Sequence, residues 1–148
     1  MQGSIGVMMT LAVKITLTAA GAFLLTGMLV GILKYRFMMR SPEHRAPAYI
    51  DIGHRAALLY SFAALVMARL LEASPFPVVW QVVIASAPLI YFALTIIQYV
   101  RLGLAGREET QFAERNFITT WFMYGLIAGE IGGLAAIVGG FIYSVWLA

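Results

Sequence analysis

Residues 43–72 read EHRAPAYIDIGHRAALLYSFAALVMARLLE, and they contain both histidines of the chain. Thirteen uncharged residues separate Arg55 from Arg69, about 20 Å of α-helix, whereas the hydrocarbon core of a bilayer is about 30 Å thick. A helix that crosses must therefore include the residues just before Arg55, which places Asp51 and His54 at or just under the lipid headgroups. Ionisable groups at that depth are costly and usually have a partner, a cavity or a function. His54 is therefore the first candidate functional residue.

The composition is that of an integral membrane protein. Of the 148 residues, 61% are hydrophobic and 11% are charged, and the mean hydropathy is positive, which soluble domains of this size do not show. The first apolar segment exceeds signal-peptide length and lacks a basic start, so we expect it to be retained. The absence of cysteine excludes disulfides and thiolate metal sites. A net charge of +3 without a basic run indicates no nucleic-acid partner.

The apolar segments predict an all-α fold, an integral membrane four-helix bundle that forms one domain over residues 1–148. The predicted spans are residues 11–33, 50–71, 78–100 and 117–145. Gly27 and Gly31 form a small-xxx-small pair, which predicts close approach to another helix. Pro88 predicts a kink in the third span, whose freed carbonyl needs a nearby donor. Six glycines predict a packing face on the fourth span: Gly125, Gly129, Gly132, Gly133, Gly139 and Gly140.

The basic residues predict the orientation. The first polar loop and its flanks carry five Lys and Arg residues, the third loop three, and the turn between the second and third spans one. The positive-inside rule therefore places the first and third loops in the cytoplasm and both termini outside it. We expect a multi-pass protein of a bacterial-type inner (cytoplasmic) membrane, with the lipid bilayer as its immediate partner.

His54 has two interpretations that the sequence leaves open. Asp51 and Arg55 are four residues apart with the acid nearer the helix N-terminus, so they are expected to pair and to leave His54 apart from that charge. The imidazole then either bonds a carbonyl or Asp51 in a structural role, or serves as the axial ligand of a haem iron, for which one histidine suffices. His44 lies in a proline-flanked loop, and its ten-residue separation from His54 is not a one-face helical spacing.

Glu130 is the only charged residue of the fourth span and lies about midway along it. A protonated carboxyl that bonds a neighbouring helix is the structural interpretation, and a proton donor or substrate contact in a cavity is the functional one. Tyr60, Tyr91 and Tyr124 are expected to pack, or to donate a hydrogen bond if they face a cavity. Asn116 is plausible as the N-cap of the fourth helix.

Several short motifs resemble the small four-helix membrane isomerases that include styrene oxide isomerase and hydroxylaminobenzene mutase. The matching pieces are LLTG at residues 24–27, Gly53-His54 at the head of the second helix, and the segment from Ala105-Gly106 to the NFIT of residues 116–119. Their order and spacing agree over most of the chain. The family has an asparagine six residues after the histidine, where this chain has Tyr60, and that difference leaves the substrate open.

The resemblance implies a homotrimer that binds haem b through His54. Ferric iron would act as a Lewis acid on an epoxide or hydroxylamine oxygen of a small apolar aromatic substrate, and the reaction would be an isomerisation. Asn116 matches the asparagine at the entry of the family's last helix. Four residues are then candidate catalytic groups: Tyr60, Tyr91, Asn116 and Glu130. Arg55 and Arg115 lie on the side where haem propionates would emerge, and arginine pairs with carboxylates in a fork geometry.

Three other classes compete with an isomerase. The glycine-rich fourth span and the scarcity of catalytic groups also suit a small structural or accessory subunit of a larger membrane complex. Transport would use Glu130 and the kinked third span, yet no inverted repeat is visible. A glutathione-using membrane enzyme would need an arginine-asparagine-glutamate pattern that the second helix lacks. The haem-binding isomerase is the favoured hypothesis and the accessory subunit its alternative.

Overall fold

The chain is all-helical wherever the structure describes it. The structure is a computed structural model that describes residues 9–106 and 117–147, apart from the side chains of residues 118 and 119. The long helices are α1 (Leu11–Arg40), α2 (Ala48–Leu71), α3 (Val78–Leu104) and α4 (Met123–Ile142), and π-helical turns over Ile118–Phe122 and Tyr143–Leu147 flank α4. All four are long and apolar enough to cross a membrane. The prediction of a four-helix membrane bundle is confirmed.

Two helices extend beyond their predicted spans. α1 starts at Leu11, where the Thr10 side chain accepts from the backbone N–H of Val13, and it continues past Leu33 to Arg40. The polar end of α1 includes no helix-breaking residue. The helix ends before Ser41, because Ser41 precedes Pro42 and a residue before proline disfavours helical geometry. α3 likewise continues past residue 100 to Leu104. Gly106 follows with φ +65°, the left-handed conformation that commonly ends a helix.

α2 and α3 form the centre of the bundle, and α1 and α4 flank them. α1 packs along α2 and also contacts α3, whereas α4 contacts α3 and α2. Among the described residues α1 and α4 make no mutual contact. Only 11% of the apolar window of the fourth helix is buried inside the chain, compared with 39% for α3. The fourth helix is therefore the most peripheral element.

Small residues bring α1 against α2. A Cβ added to Gly27 would lie 2.7 Å from Cδ2 of Leu58, and one added to Gly31 would lie 2.9 Å from Cε1 of His54. A side chain at either position would meet α2, so the two glycines permit the close approach of the helices. The predicted close approach of Gly27 and Gly31 to another helix is confirmed, and α2 is that helix.

The glycines of α4 divide between two faces. An added Cβ at Gly125, Gly129 or Gly133 would collide with Tyr91 or Pro88 of α3, while Gly140 faces Phe76. Gly132 and Gly139, in contrast, have nothing within 4 Å of an added Cβ. The sequence predicted a single packing face on the fourth span. The structure instead has one glycine face that packs against the bundle and a second glycine face that contacts nothing in the described part of the chain.

Pro88 interrupts the hydrogen bonds of α3 as predicted. Its ring leaves the carbonyl of Ile84 without the usual helical donor. That carbonyl lies 2.8 Å from the position of an added Cβ on Gly133 of α4, and the proline Cδ lies 2.7 Å from it. A Cα–H of Gly133 therefore faces the freed oxygen of Ile84. Such a Cα–H group is a weak hydrogen-bond donor that recurs at helix contacts.

Candidate functional site

His54 lies between α2 and α1. Its Nδ1 is 2.8 Å from the carbonyl oxygen of Gly27, and its ring rests against Gly31. A carbonyl can only accept, so Nδ1 carries the proton and donates it to this bond. The spacing of the two α1 glycines supports this arrangement, because one supplies the acceptor and the other supplies the room for the ring.

The hydrogen bond leaves Nε2 as the unprotonated nitrogen of His54. Nε2 has no hydrogen-bond partner among the described residues, and it is not one of the buried polar atoms that lack a partner, so it is accessible from outside the chain. A bond from the other ring nitrogen to a backbone carbonyl is the usual way in which a metal-binding histidine is oriented and its tautomer fixed. The geometry therefore suits both interpretations of His54, a helix-to-helix bond and a ligand nitrogen.

Asp51 forms two ion pairs beside His54. Its Oδ1 lies 2.6 Å from Nζ of Lys34 on α1, and its Oδ2 lies 2.6 Å from Nη2 of Arg55 one turn along α2. The sequence predicted the pair with Arg55 from the four-residue spacing. It missed Lys34, because a contact between different helices has no signature in spacing. With both carboxylate oxygens paired, His54 binds Gly27 and not Asp51.

A second polar group lies among α2, α3 and α4. The ring of Tyr60 stacks on Phe92 with centroids 4.1 Å apart, and Glu130 lies within electrostatic reach of Tyr60 and of Tyr99. Thr95 Oγ1 and Glu130 Oε1 are both buried without a hydrogen-bond partner in the described part of the chain. We call Tyr60, Thr95, Tyr99 and Glu130 the interhelical polar cluster. Glu130 Oε1 therefore needs a hydrogen-bond donor that the described part of the chain does not supply.

A groove opens beside this cluster. It has a volume of about 290 Å³ and is lined by Ile52, Arg55, Ala56, Leu59, Tyr60 and Tyr99. Its walls are largely apolar, with two phenols and one guanidinium as polar groups, which is the composition expected of a site for an apolar ligand with one polar end. The sequence identified Tyr60 and Glu130 as candidates but missed Thr95 and Tyr99. The four-residue spacing of Tyr91, Thr95 and Tyr99 was the available signal.

Within one chain, His54 and the interhelical polar cluster are apart. Six residues of helix rotate a side chain by about 240°, so His54 and Tyr60 point in different directions from α2. His54 faces α1, whereas Glu130 is on α4, which does not contact α1 in the described residues. The candidate residues that the sequence predicted therefore lie in two separate regions, one around His54 and the other around Tyr60 and Glu130.

The remaining predicted residues are distributed as follows. Tyr91 packs over Gly125 and Gly129, its hydroxyl 2.7 Å from an added Cβ on Gly125, so it acts as a packing aromatic between α3 and α4. Tyr124 is exposed. His44 is exposed in the loop after α1, with φ +52°. Asn116, Arg115 and Arg107 lie outside the described residues.

The described residues include no group of three or more histidine, cysteine, aspartate or glutamate side chains arranged to hold a metal ion. A haem needs only one such residue, because the porphyrin supplies four nitrogens itself. His54, with an oriented ring and an accessible Nε2, fits that requirement. Arg55 lies one residue further along α2 and is 64% exposed, which leaves its remaining donors open to an external carboxylate.

Comparisons with protein-family models, with curated proteins and with solved structures found no match.

Proposed function

We propose that this chain is a haem b-binding membrane isomerase that acts on a small apolar aromatic substrate with an epoxide or hydroxylamine oxygen. The observation that carries the proposal is the geometry of His54, whose Nδ1 donates to Gly27 and whose Nε2 is accessible and unpartnered among the described residues. The resemblance of the Gly53-His54 and NFIT motifs to the styrene oxide isomerase and hydroxylaminobenzene mutase group supports the same assignment. A bound ferric haem would supply a Lewis acid for the substrate oxygen.

The protein's own residues have distinct roles in this proposal. His54 would hold the haem iron through Nε2, and its bond to the Gly27 carbonyl holds the ring in place. Arg55, and Arg115 by its place in the sequence, would bind the propionates. The surrounding apolar helices exclude water, which protects a carbocation-like species from hydrolysis and favours entry of a substrate that dissolves in lipid.

The interhelical polar cluster is the proposed source of further catalytic groups. Tyr60 and Glu130 would donate a proton or stabilise charge, with Tyr91 and Asn116 as the other candidates from the sequence. Because His54 and Glu130 lie on different sides of α2 in one chain, they act on one substrate only if neighbouring copies supply them. The homotrimer that the resemblance implies would meet this need.

The proposal includes an orientation. The first and third polar loops would face the cytoplasm of a bacterial-type cell, and both termini would lie outside it, because the loop after α1 with its flanks holds five of the ten Lys and Arg residues and the third loop holds three more. His54, in the second turn of α2, would then lie near the cytoplasmic surface of the membrane.

Haem retention after purification tests the proposal. We expect the detergent-purified protein to show a Soret band, which His54→Ala abolishes and His44→Ala leaves unchanged. Because His54→Ala also removes a bond between α1 and α2, circular dichroism and gel filtration should establish that the variant is folded. Added imidazole should then restore the band in His54→Ala by occupying the vacated position. Equal haem content in both alanine variants, or a colourless wild-type protein reconstituted with haem to no effect, contradicts the proposal.

A structural or accessory subunit is the second proposed function. It is supported by the peripheral fourth helix, on which Gly132 and Gly139 face open space and large side chains such as Trp121 and Trp146 are exposed. Such a surface suits association with other membrane helices. A colourless protein that copurifies in stoichiometric amounts with a larger membrane complex would favour this function over the isomerase.

A further inference from the structure

A cavity of about 570 Å³ lies at the end of the bundle opposite the turn between α2 and α3. It is bounded by the end of α1, the loop that follows, the start of α2 at Ala48, and Gly106 after α3. Three charged side chains line it among the described residues: Arg40, Glu43 and Arg45. Its volume is within the range of about 300 to 1,000 Å³ that small-molecule sites occupy.

The position of the cavity along the membrane normal follows from helix lengths. About 20 helical residues cross the hydrocarbon core, so a span that ends at Leu71 begins near Ile52. Pro47 and Ala48, which line the cavity, then lie roughly 6 to 8 Å beyond the core, at 1.5 Å per residue. The headgroup layer is about 5 to 7 Å thick on each side. The cavity is therefore at the depth of the lipid headgroups.

The two arginines of the cavity are available to a ligand. Lys34 and Arg55, two other basic residues at this end of the bundle, both pair with Asp51. Neither Arg40 nor Arg45 forms an ion pair among the described residues, although Glu43 shares their cavity. Two free guanidinium groups that line one cavity match the oxygens of a phosphate, which arginine binds through paired hydrogen bonds.

Glu43 requires that the ligand also carry a hydrogen-bond donor. A carboxylate repels a bare phosphate but accepts hydrogen bonds from an ammonium or hydroxyl group. A ligand that offers a phosphate to Arg40 and Arg45 and a donor to Glu43 satisfies all three side chains. Phosphatidylethanolamine and phosphatidylglycerol headgroups have this combination, whereas the trimethylated ammonium of phosphatidylcholine has no donor.

We propose that this cavity is a phospholipid headgroup site, in which Arg40 and Arg45 bind the phosphodiester and Glu43 binds the amino or hydroxyl group beyond it. The site is independent of haem, since it uses none of the residues assigned to haem or substrate. A bound headgroup would link α1, the following loop and the end of α3, because all three border the cavity.

Native mass spectrometry of the delipidated full-length protein in detergent tests the site. Phosphatidylethanolamine is titrated against phosphatidylcholine, which has the same net charge. We expect tighter binding of phosphatidylethanolamine, and a loss of about tenfold to a hundredfold in its affinity for the Arg40→Gln/Arg45→Gln double variant, because each lost bond involves a charged group. Arg36→Gln is the matched control for the single variant Arg40→Gln. It removes the same charge one turn earlier in α1 and outside the described lining of the cavity.

Three outcomes overturn the site. Equal losses in Arg36→Gln and Arg40→Gln would mean that diffuse surface charge attracts the lipid. Equal affinity for both lipids would remove the role of Glu43. Bound lipid could also be displaced by millimolar inorganic phosphate or glycerophosphoethanolamine, with an affinity that does not depend on acyl chains. That result would mean that the ligand of the cavity is a soluble phosphate compound and not a membrane lipid.

Discussion

At the scale of single residues, the placement of His54 depends on the absence of a side chain at Gly31 of α1. The imidazole bonds the carbonyl of Gly27 and lies against Gly31, where an added Cβ would be 2.9 Å from its Cε1. A histidine at this depth would otherwise have to satisfy its N–H in lipid, at a cost of a few kcal/mol. The bond to the Gly27 carbonyl determines which nitrogen of His54 is free, and Gly31 provides the room for the ring.

Gly31→Ala should weaken the α1–α2 contact. Its Cβ would lie 2.9 Å from Cε1 of His54, so the ring must shift and its bond to Gly27 must lengthen. We expect a loss of about 1 to 3 kcal/mol in the free energy of unfolding, measured by SDS titration in mixed micelles. Gly21→Ala is the control on the same helix, with nothing within 4 Å of its Cβ, and its free energy should change by less than about 0.5 kcal/mol. Equal effects of the two substitutions would refute the close contact.

The sequence predicted an ion pair within one helix, but it did not predict contacts between side chains of different helices. The Asp51–Arg55 ion pair follows from a four-residue spacing, and the structure confirms it. Lys34 had no comparable signal, because its partner Asp51 belongs to another helix. Thr95 and Tyr99 share a four-residue spacing with Tyr91, but that spacing does not identify which helix they face. The functional meaning of His54 and Glu130 remains a prediction.

At the scale of elements, the contact of α4 with α3 depends on Gly133. The carbonyl of Ile84, which Pro88 deprives of its helical donor, faces the Cα of this glycine. The proline of α3 and the glycine face of α4 are thus in close contact. Sequence reasoning found both the proline and the glycines, but it could not assign which glycines meet the proline, since that depends on the rotation of α4 about its axis.

Gly133→Ala tests this contact against Gly132→Ala. The Cβ at position 133 would lie 2.7 Å from Cδ of Pro88 and 2.8 Å from the Ile84 oxygen, whereas at position 132 it meets nothing within 4 Å. Backbone and a proline ring cannot move aside as a flexible side chain can, so we expect Gly133→Ala to cost about 1 to 3 kcal/mol of unfolding free energy. Gly132→Ala should be nearly neutral in the monomer. Thermal unfolding of both variants in the same detergent measures the difference, and a reversed order would show that α4 is rotated about its axis.

At the scale of the whole molecule, the number of membrane-spanning helices was predicted correctly and helix neighbours were not. Hydropathy alone identifies four spans, because a bilayer needs about 20 apolar residues. The arrangement with α2 and α3 at the centre and α1 apart from α4 could not be read from the sequence, since apolar residues surround every helix and mark no single buried face. The same exposure supports a lipid environment.

Cysteine labelling tests the orientation of the molecule. The chain has no cysteine, so single substitutions report without background. In intact cells we expect Ser74→Cys, in the turn between α2 and α3, to react with a membrane-impermeant maleimide. Ser41→Cys, in the loop after α1, should react only after the membrane is permeabilised. The opposite pattern would place the first loop outside the cytoplasm and reverse the predicted orientation.

The partner of His54 is 27 residues earlier in the chain, and both belong to the first two helices. A growing polypeptide leaves the ribosome from its N-terminus, so α1 and α2 are complete before the last helix has been translated. The peripheral α4 makes no contact with α1 in the described residues and supplies nothing to the bond between His54 and Gly27. The histidine can thus be oriented during biosynthesis, before α4 has been translated.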